Sequence, residues 1–249
     1  MNPRRCAILR EMGLAPLWRL RAPAETVDAD AGIPELPPEE TPGPDDGHQR
    51  SSELAPPADA SRVVAMDWQE LEETIRTCRA CALCEKRTQA VPGVGDRQAR
   101  WMFVGEGPGA EEDRRGEPFV GQAGRLLDHM LAALNLKRGE DVYIANAVKC
   151  RPPLNRTPGV AEIAACAPFL ERQIALVRPR LLIALGRPAA QALLGQEISI
   201  AAARGKRFER EGVPVIVTYH PAYLLRNPSD KGKAWEDLCF ARRLVAEGA

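Results

Sequence analysis

Four short apolar runs, each followed by a helix-like stretch, constrain the fold of this chain more than any other feature. The runs are WMFVG (101–105), VYIANAV (142–148), LLIAL (181–185) and VPVIVTY (213–219). Apolar strands without polar alternation, separated by amphipathic helices, are typical of a mostly parallel sheet covered on both faces. We therefore predict an α/β fold, with helices over 123–136, 160–177, 187–194 and 231–247.

The amino-terminal quarter differs from this pattern. Residues 21–61 hold eight prolines and ten acidic residues, and Arg50 is the only cation after Arg21. Such a segment buries too little apolar surface to offset its ordering entropy, so we predict a disordered acidic linker over 21–65. A short amphipathic helical element is predicted over 1–20, and the folded domain over 66–249.

The lengths of the apolar runs and the first residues of the chain argue against a membrane-spanning protein and against a secreted protein. Net charge is zero, but residues 1–62 hold seven Arg and eleven acids, whereas the rest holds 27 Lys plus Arg and 23 acids. No apolar run approaches the roughly 20 residues of a membrane helix. Arg10 and Glu11 interrupt the first apolar residues, so we expect no signal peptide and a cytoplasmic protein.

The cysteine spacing indicates a metal site. CRACALC contains a Cys-x-x-Cys pair, and two further cysteines follow at Cys150 and Cys166. Four such thiols are typical of tetrahedral zinc or an iron–sulfur cluster. Spacing alone leaves two pairs open, Cys78 with Cys81 or Cys81 with Cys84.

Cys150 has an unusual sequence setting, KCRPPLNRTP (149–158). An exposed thiol between Lys149 and Arg151 is expected to be reactive, because nearby cations favour the thiolate. Two prolines follow it and stiffen the next loop.

The carboxyl ends of the predicted strands carry the chemistry-bearing residues, and ligands of parallel sheets bind there. GEGPGAEEDRRGEPFVGQAG (105–124) follows the first strand, but it lacks the spacing of a phosphate-binding loop, and its carboxylates would repel a phosphate. Phe119 in this loop suits stacking on a flat ligand, and Asn146, within the second apolar strand, offers a donor and an acceptor. His220 follows the last strand. Together these three side chains predict a pocket for a planar heterocycle.

Several long motifs carry a family resemblance. CRAC, GEGPGAEEDRRGEPFVGQAG, NAVKCRPPLNRTP, LLIALG and YHPAYLLRNP, in this order, resemble the motifs of the family 4 uracil-DNA glycosylases. The resemblance runs from about Leu71 to the carboxyl terminus. It implies a three-layer α/β/α sandwich and a monofunctional enzyme that hydrolyses the N-glycosidic bond of deoxyuridine in DNA. The abasic product would initiate base excision repair.

The resemblance also implies roles for individual residues. Phe119 would stack on uracil, the Asn146 amide would pair with its edge, and His220 would hydrogen-bond the departing base. One [4Fe–4S] cluster is implied, which leaves Cys84 as an extra thiol; its ligands would be Cys78, Cys81, Cys150 and Cys166.

The acidic loop departs from the better-known uracil glycosylases. Those enzymes carry a water-activating Asp where this chain has Gly107. The resemblance implies that Glu106 and Gly107 line the pocket and that Glu112 excludes a 5-methyl group. Either Glu106 or Glu112 would stabilise the positive sugar or orient water.

The predicted DNA contacts lie on two loops. Lys149–Arg156 holds three cations and no acid, which suits phosphate contacts. The residues after His220 would fill the gap that an extruded base leaves in the stack. The predicted contact residues are Arg151, Asn155, Arg156, Leu224, Leu225 and Arg226.

The expected partner is uracil-containing DNA, bound by a monomer without membrane contact and associated with the nucleoid in a prokaryote. Residues 1–62 are a candidate recruitment tail for a repair or replication protein. Two alternative functions stay open from the residues alone. One is a non-enzymatic Cys₄ zinc module that binds nucleic acid, and the other is a nucleotide-binding enzyme that uses GEGPG on phosphates.

Overall fold

The computed structural model describes residues 60–248. The predicted element at 1–20 and the linker up to residue 59 lie outside the described residues. Val63 is buried against Met66, Leu71 and Phe169, so packing against the core begins before the predicted boundary at residue 66.

The described residues form six strands and nine α-helices. The strands are β1 (Val94–Gly95), β2 (Trp101–Gly105), β3 (Val142–Asn146), β4 (Leu181–Leu185), β5 (Arg207–Arg210) and β6 (Val213–Thr218). The helices are α1 (Ala60–Val63), α2 (Trp68–Thr77), α3 (Ala110–Arg115), α4 (Gln122–Ala133), α5 (Val160–Val177), α6 (Arg187–Leu194), α7 (Ile200–Ala203), α8 (Pro221–Arg226) and α9 (Lys231–Ala246). Short 3₁₀ turns cover Ala82–Glu85, Pro153–Asn155 and Pro228–Asp230.

The strands form one mixed sheet in the order β1-β3-β2-β4-β6-β5. The central four strands are parallel, and the two edge strands run antiparallel to their neighbours. The register pairs Gly105 with Asn146, so β2 and β3 end side by side. This arrangement confirms the predicted mostly parallel sheet.

Helices cover both faces of the sheet. Alternate residues of the central strands contribute to two separate apolar clusters. One cluster holds Leu170 of α5 and Ala189 of α6, and the other holds Leu127 of α4 and Leu238 of α9. The three layers of the predicted α/β/α sandwich are therefore present. Over residues 60–248 the structure contains no helix that is both long and apolar enough to cross a membrane.

Candidate active site

A cavity of about 650 Å³ opens where β2, β3, β4 and β6 end. Residues from each strand end line it, which is the position expected for a ligand site in a parallel sheet. The structure brings most of the predicted site residues to this cavity. Those that line it are Glu106, Gly107, Glu112, Phe119, Asn146, Asn155, Arg156, His220 and Arg226.

The Phe119 ring and the Asn146 amide meet over Gly105. A β-carbon added to Gly105 would lie 2.5 Å from Asn146 Oδ1 and 2.5 Å from Phe119 Cζ. Both side chains are almost fully buried, with 6% of Phe119 and 2% of Asn146 exposed. The absence of a side chain at Gly105 thus lets an aromatic face and a carboxamide share one corner of the cavity.

His220 lies beside this corner, with its ring centroid 5.5 Å from that of Phe119. It caps the short helix α8, because its Nδ1 accepts a hydrogen bond of 3.1 Å from the Ala222 backbone N–H. An accepting Nδ1 leaves the proton of the neutral ring on Nε2. Burial, together with the positive charge of Arg226, lowers the pKa of His220 to about 4. A neutral imidazole with a single Nε2–H donor is therefore the form present at neutral pH.

Glu106 is the half-buried carboxylate that follows β2. Burial raises its pKa above the usual range, and a hydrogen bond from Thr157 and the charges of Arg187 and Arg226 oppose that rise. The charges of Arg187 and Arg226 thus favour the ionised form of a carboxyl group that lines the cavity. Glu106 can therefore face a developing positive charge or a water molecule.

Glu112 has a different environment from Glu106. Its Oε1 accepts hydrogen bonds of 2.9 Å from the backbone N–H groups of Val120 and Gly121, and its Oε2 accepts one of 3.1 Å from Gly109. These three bonds close the glycine-rich loop over the start of α3. The Glu112 carboxylate thus already has three structural partners in this loop.

The loop after Cys150 presents some of its predicted DNA-contact residues to solvent. Arg151 Nε donates to Asn155 Oδ1 at 2.8 Å, and Arg156 pairs with Glu162 at 2.6 Å. Leu154, which sequence reasoning did not single out, is 96% exposed. Leu154 and Asn155 both have positive φ, 54° and 55°, and so lie in the left-handed region.

The prediction that Leu224 contacts DNA is wrong for this structure. Leu224 is 1% exposed, whereas Leu225 is 43% exposed. Helix α8 turns successive side chains to different faces, so only one of the two leucines can point outward. Leu225 and the exposed Arg226 are the residues of this helix that remain available to a nucleic acid.

Four lining residues with polar or charged side chains were not among the predicted site residues. Arg187 lies directly after the end of β4, and Thr157 lies on the loop that follows Cys150. Tyr219 and Tyr223 also line the cavity, with their rings stacked at 4.9 Å. The rule that strand ends carry the site would have found Arg187 and Tyr219. Nothing local in the sequence marks the other two.

The cysteines of three separate segments converge on one side of the fold. Cys150 and Cys166 are buried in one small apolar cluster, and Cys81 packs against it. Each thiol also raises the pKa of its neighbours: Cys78 and Cys84 act on Cys81, and Cys150 acts on Cys166. Burial is the main reason why the pKa of Cys150 is about 11 and that of Cys166 about 12.

Cys150 is not an exposed thiol between two surface cations, so the reactivity expected of such a thiol does not apply to it. Cys150 is 3% exposed, and Lys149 is 1% exposed. The Lys149 ammonium points inward and donates to the Asn146 carbonyl at 2.8 Å and to Gln173 Oε1 at 2.6 Å. Lys149 is therefore unavailable to DNA phosphates, and Cys150 instead accepts a hydrogen bond of 2.8 Å from Arg87.

The thiols have the chemistry of a metal site, but their present spacing is not that of a ligand set. Among residues 60–248, no three His, Cys, Asp or Glu side chains are arranged to hold a metal ion. The donor set itself fits a thiolate-bound metal, since Cys81 packs against Cys150 and Cys166, and both Cys78 and Cys81 act electrostatically on Cys150. The structure thus shows that cysteines from three segments of the chain converge on one region.

Comparisons with known proteins agree with this geometry. A sequence model of the uracil DNA glycosylase superfamily matches residues 92–239. The chain is 46% identical to a type-4 uracil-DNA glycosylase of Pyrobaculum aerophilum over 70% of this chain and 93% of that protein. It is 48% identical to the type-4 enzyme of Thermotoga maritima over 65% and 84% of the two chains, and 46% identical to that of Archaeoglobus fulgidus over 64% and 83%. The chain therefore belongs to the type-4 uracil-DNA glycosylases within the uracil DNA glycosylase superfamily.

Proposed function

We propose that this chain is the enzyme that excises uracil from DNA by hydrolysing the N-glycosidic bond of deoxyuridine, the step that initiates base excision repair. The observation that carries the proposal is the meeting of Phe119, Asn146 and His220 in one cavity at the strand ends. Neither alternative, a Cys₄ zinc module or a phosphate-binding nucleotide enzyme, accounts for these three side chains in a cavity lined by Glu106 and Glu112.

Recognition of the base begins with its removal from the stack. Extrusion of a nucleotide costs a few kcal/mol, which contacts in the pocket must offset. Stacking on an aromatic ring such as Phe119 contributes about 1–3 kcal/mol per base in comparable sites. The buried Asn146 amide, held at the end of β3, offers a donor and an acceptor to the uracil edge. A cytosine would leave these polar atoms unpaired, and such sites reject the wrong ligand strongly.

Bond cleavage puts negative charge on the departing base and positive charge on the sugar. The C1′–N1 bond breaks with its electron pair going to uracil, and the sugar passes through an oxocarbenium-like state. The neutral His220 donates its Nε2–H to the oxygen on which the base charge accumulates. Glu106 faces the sugar and orients the water whose oxygen adds to C1′. The Glu106 carboxylate is also the acceptor for the proton that this water loses.

We propose that the converging cysteines hold a [4Fe–4S] cluster through Cys78, Cys81, Cys150 and Cys166. Support comes from the burial of Cys150 and Cys166 together, with Cys81 packed beside them. Such a centre supplies cross-links between distant segments of the chain, as structural metal sites do. The substrate chemistry described above needs only side chains of the cavity.

The surface around the cavity suits a DNA strand. Arg151, Arg156 and Arg226 lie at its rim or on the adjoining loop and are proposed to contact phosphates. Leu225 is proposed to fill the gap left by the extruded base. We further propose a monomer acting on chromosomal DNA, with residues 1–62 recruiting a repair or replication protein; their excess of eleven acids over seven Arg suits a basic partner.

One assay tests the proposed activity. Anaerobically purified protein is incubated with matched oligonucleotides containing uracil or thymine, and abasic sites are counted. We expect cleavage of the uracil strand alone. His220→Ala should lower the rate about 10²- to 10³-fold, which is the usual cost of losing one such donor.

The matched control is His129→Ala, which removes an exposed histidine of α4 outside the cavity and should leave the rate unchanged. Wild-type protein that releases no uracil would overturn the proposed activity. A His220→Ala variant that works at the wild-type rate would overturn the assigned role of His220 alone.

A further inference from the structure

The backbone of Phe119 adopts a conformation that needs support from its surroundings. Its φ is 56°, in the left-handed region that residues other than glycine rarely occupy. Its carbonyl oxygen lies close to α4 at Gly124, where an added β-carbon would be only 1.7 Å from Phe119 O. Such strained residues persist where neighbouring groups hold them, and they are concentrated at functional sites.

The support comes from Arg138, nineteen residues further along the chain. Its Nη1 donates to the Pro118 carbonyl and its Nη2 to the Phe119 carbonyl, both at 2.8 Å. Asp128 of α4 fixes the other side of the guanidinium, accepting from Nε at 3.1 Å and from Nη2 at 2.9 Å. The Arg138 side chain is only 20% exposed.

This geometry differs from that of an ordinary surface ion pair. The planar fork of an arginine fixes two acceptors at once, so it sets both position and orientation. Here the two acceptors are the carbonyls on either side of the Phe119 backbone nitrogen and α-carbon. Any tilt of that segment would therefore tilt the ring that lies beside His220 and over Gly105.

We propose that Arg138, held by Asp128, is a positioning residue that sets the angle of the Phe119 ring against the extruded base. Arg138 does not line the cavity and acts only through Phe119. The inference rests on the proposed function, because it assumes that Phe119 stacks on the substrate.

The chain contains a closely matched control for this interaction. Arg210 of β5 donates to two successive carbonyls, Ala192 at 3.1 Å and Leu193 at 2.8 Å. Glu171 accepts from its Nη2 at 3.0 Å, and the Arg210 side chain is 17% exposed. Arg138 and Arg210 thus have the same type of partners and similar burial. The carbonyl groups that accept from Arg210, however, belong to the end of α6 and not to the cavity.

The experiment compares Arg138→Met with Arg210→Met. Each should lower the thermal unfolding midpoint by a similar amount, since each loses a comparable set of hydrogen bonds. At a temperature well below both midpoints, Arg138→Met should lower single-turnover excision of uracil about 10- to 100-fold, because small misplacements of a contacting group have effects of this size. Arg210→Met should stay within about twofold of wild type on the same scale. Arg138→Lys, which can reach one carbonyl, should be intermediate.

A double-mutant cycle separates positioning from a general structural role. If Arg138 acts through the ring, then Arg138→Met added to Phe119→Ala should slow excision by less than about twofold further. A further loss of excision rate of about 10- to 100-fold when Arg138→Met is added to Phe119→Ala would overturn the inference. Equal excision rates for Arg138→Met and Arg210→Met would also overturn it. Both of these outcomes leave uracil excision by the wild-type protein intact, whereas an inactive wild-type protein would instead overturn the proposed function.

Discussion

At the scale of single residues, a backbone hydrogen bond determines which ring nitrogen of His220 carries the proton. The Ala222 N–H occupies Nδ1, so Nε2 is the nitrogen that carries the proton of the neutral ring. The pKa of His220 falls to about 4 from an ordinary value of 6.5, mainly because the ring is buried. An imidazolium is therefore not the form of His220 that lines the cavity at neutral pH.

The lowered pKa predicts a specific pH dependence. Between pH 6.5 and about 4 the unfolded chain binds a proton at His220 that the folded protein does not bind. The stability contributed by the neutral ring is thus fully present above pH 6.5 and is lost as the pH falls toward 4. Thermal unfolding over this range should show a smaller acid loss for His220→Gln than for wild type.

The rate of excision by the wild-type enzyme should therefore show no inflection near pH 6.5, because His220 does not titrate there in the folded protein. An acid limb that disappears in Glu106→Gln would instead report the raised pKa of Glu106. A rate that falls with an apparent pKa of 6.5 in both wild type and Glu106→Gln would contradict the neutral histidine.

Single residues also show which features of the site could be predicted from the sequence and which could not. Asn146 and His220 could be selected because each lies near the carboxyl end of an apolar strand, and Phe119 because it is an aromatic residue in the glycine-rich segment after β2. The inward direction of Lys149 was not predictable, since its partner Gln173 lies on α5 and is known only from the fold. The same holds for Leu224, whose burial depends on the rotation of α8.

At the scale of elements, the central strands were predictable because every position of β2, β3 and β4 is buried, which gives a continuous apolar run. The edge strands were not predicted. β1 has two residues, and β5 reads RFER with exposed and partly buried positions in alternation. Edge strands with such charge and brevity resemble loops in sequence, and they protect a sheet from pairing with other chains.

The end of β2 provides a prediction at this scale. In Gly105→Ala the added methyl group would lie within 2.5 Å of both the Asn146 amide and the Phe119 ring, so one of them must move. We expect a loss of excision of about 100-fold or more, as is usual when a contacting group is displaced by an ångström. The measurement is single-turnover excision on uracil-containing DNA, with thermal unfolding in parallel.

Gly232→Ala is the control for that substitution. Gly232 lies in α9 with no heavy atom within 4 Å of an added β-carbon. Alanine should leave excision unchanged and raise stability by up to about 1 kcal/mol, because glycine is the poorer helix former. Unchanged excision in Gly105→Ala would show that the corner of the cavity tolerates a side chain.

At the scale of the whole molecule, the cysteines connect segments that are far apart in sequence. The turn after α2, the loop after β3 and helix α5 each contribute a thiol to the same region. The cysteine spacing predicted a metal site but left open whether Cys78 or Cys84 forms the pair with Cys81. The structure places Cys81 against Cys150 and Cys166 in the apolar cluster, and Cys84 in the adjoining 3₁₀ turn.

This arrangement predicts different outcomes for two neighbouring cysteines. Cys81→Ser should lower the iron content and visible colour of anaerobically purified protein and reduce its thermal unfolding midpoint, because a ligand is lost. Cys84→Ser should keep iron, colour and midpoint close to wild type. Equal loss of iron in both variants would contradict the proposed ligand set, and a colourless, zinc-containing wild type would contradict the cluster itself.

The order of strands in the sheet has a consequence for how activity arises during synthesis. The ring of Phe119, the amide of Asn146 and the imidazole of His220 are separated by up to about a hundred residues, and β4 must be inserted between β2 and β6 before they meet. A nascent or truncated chain that lacks β6 and the residues after it would keep at most the corner that Phe119 and Asn146 form over Gly105, and it would lack His220. If His220 has the proposed role, excision should therefore reach its full rate only after β6 has joined the sheet beside β4.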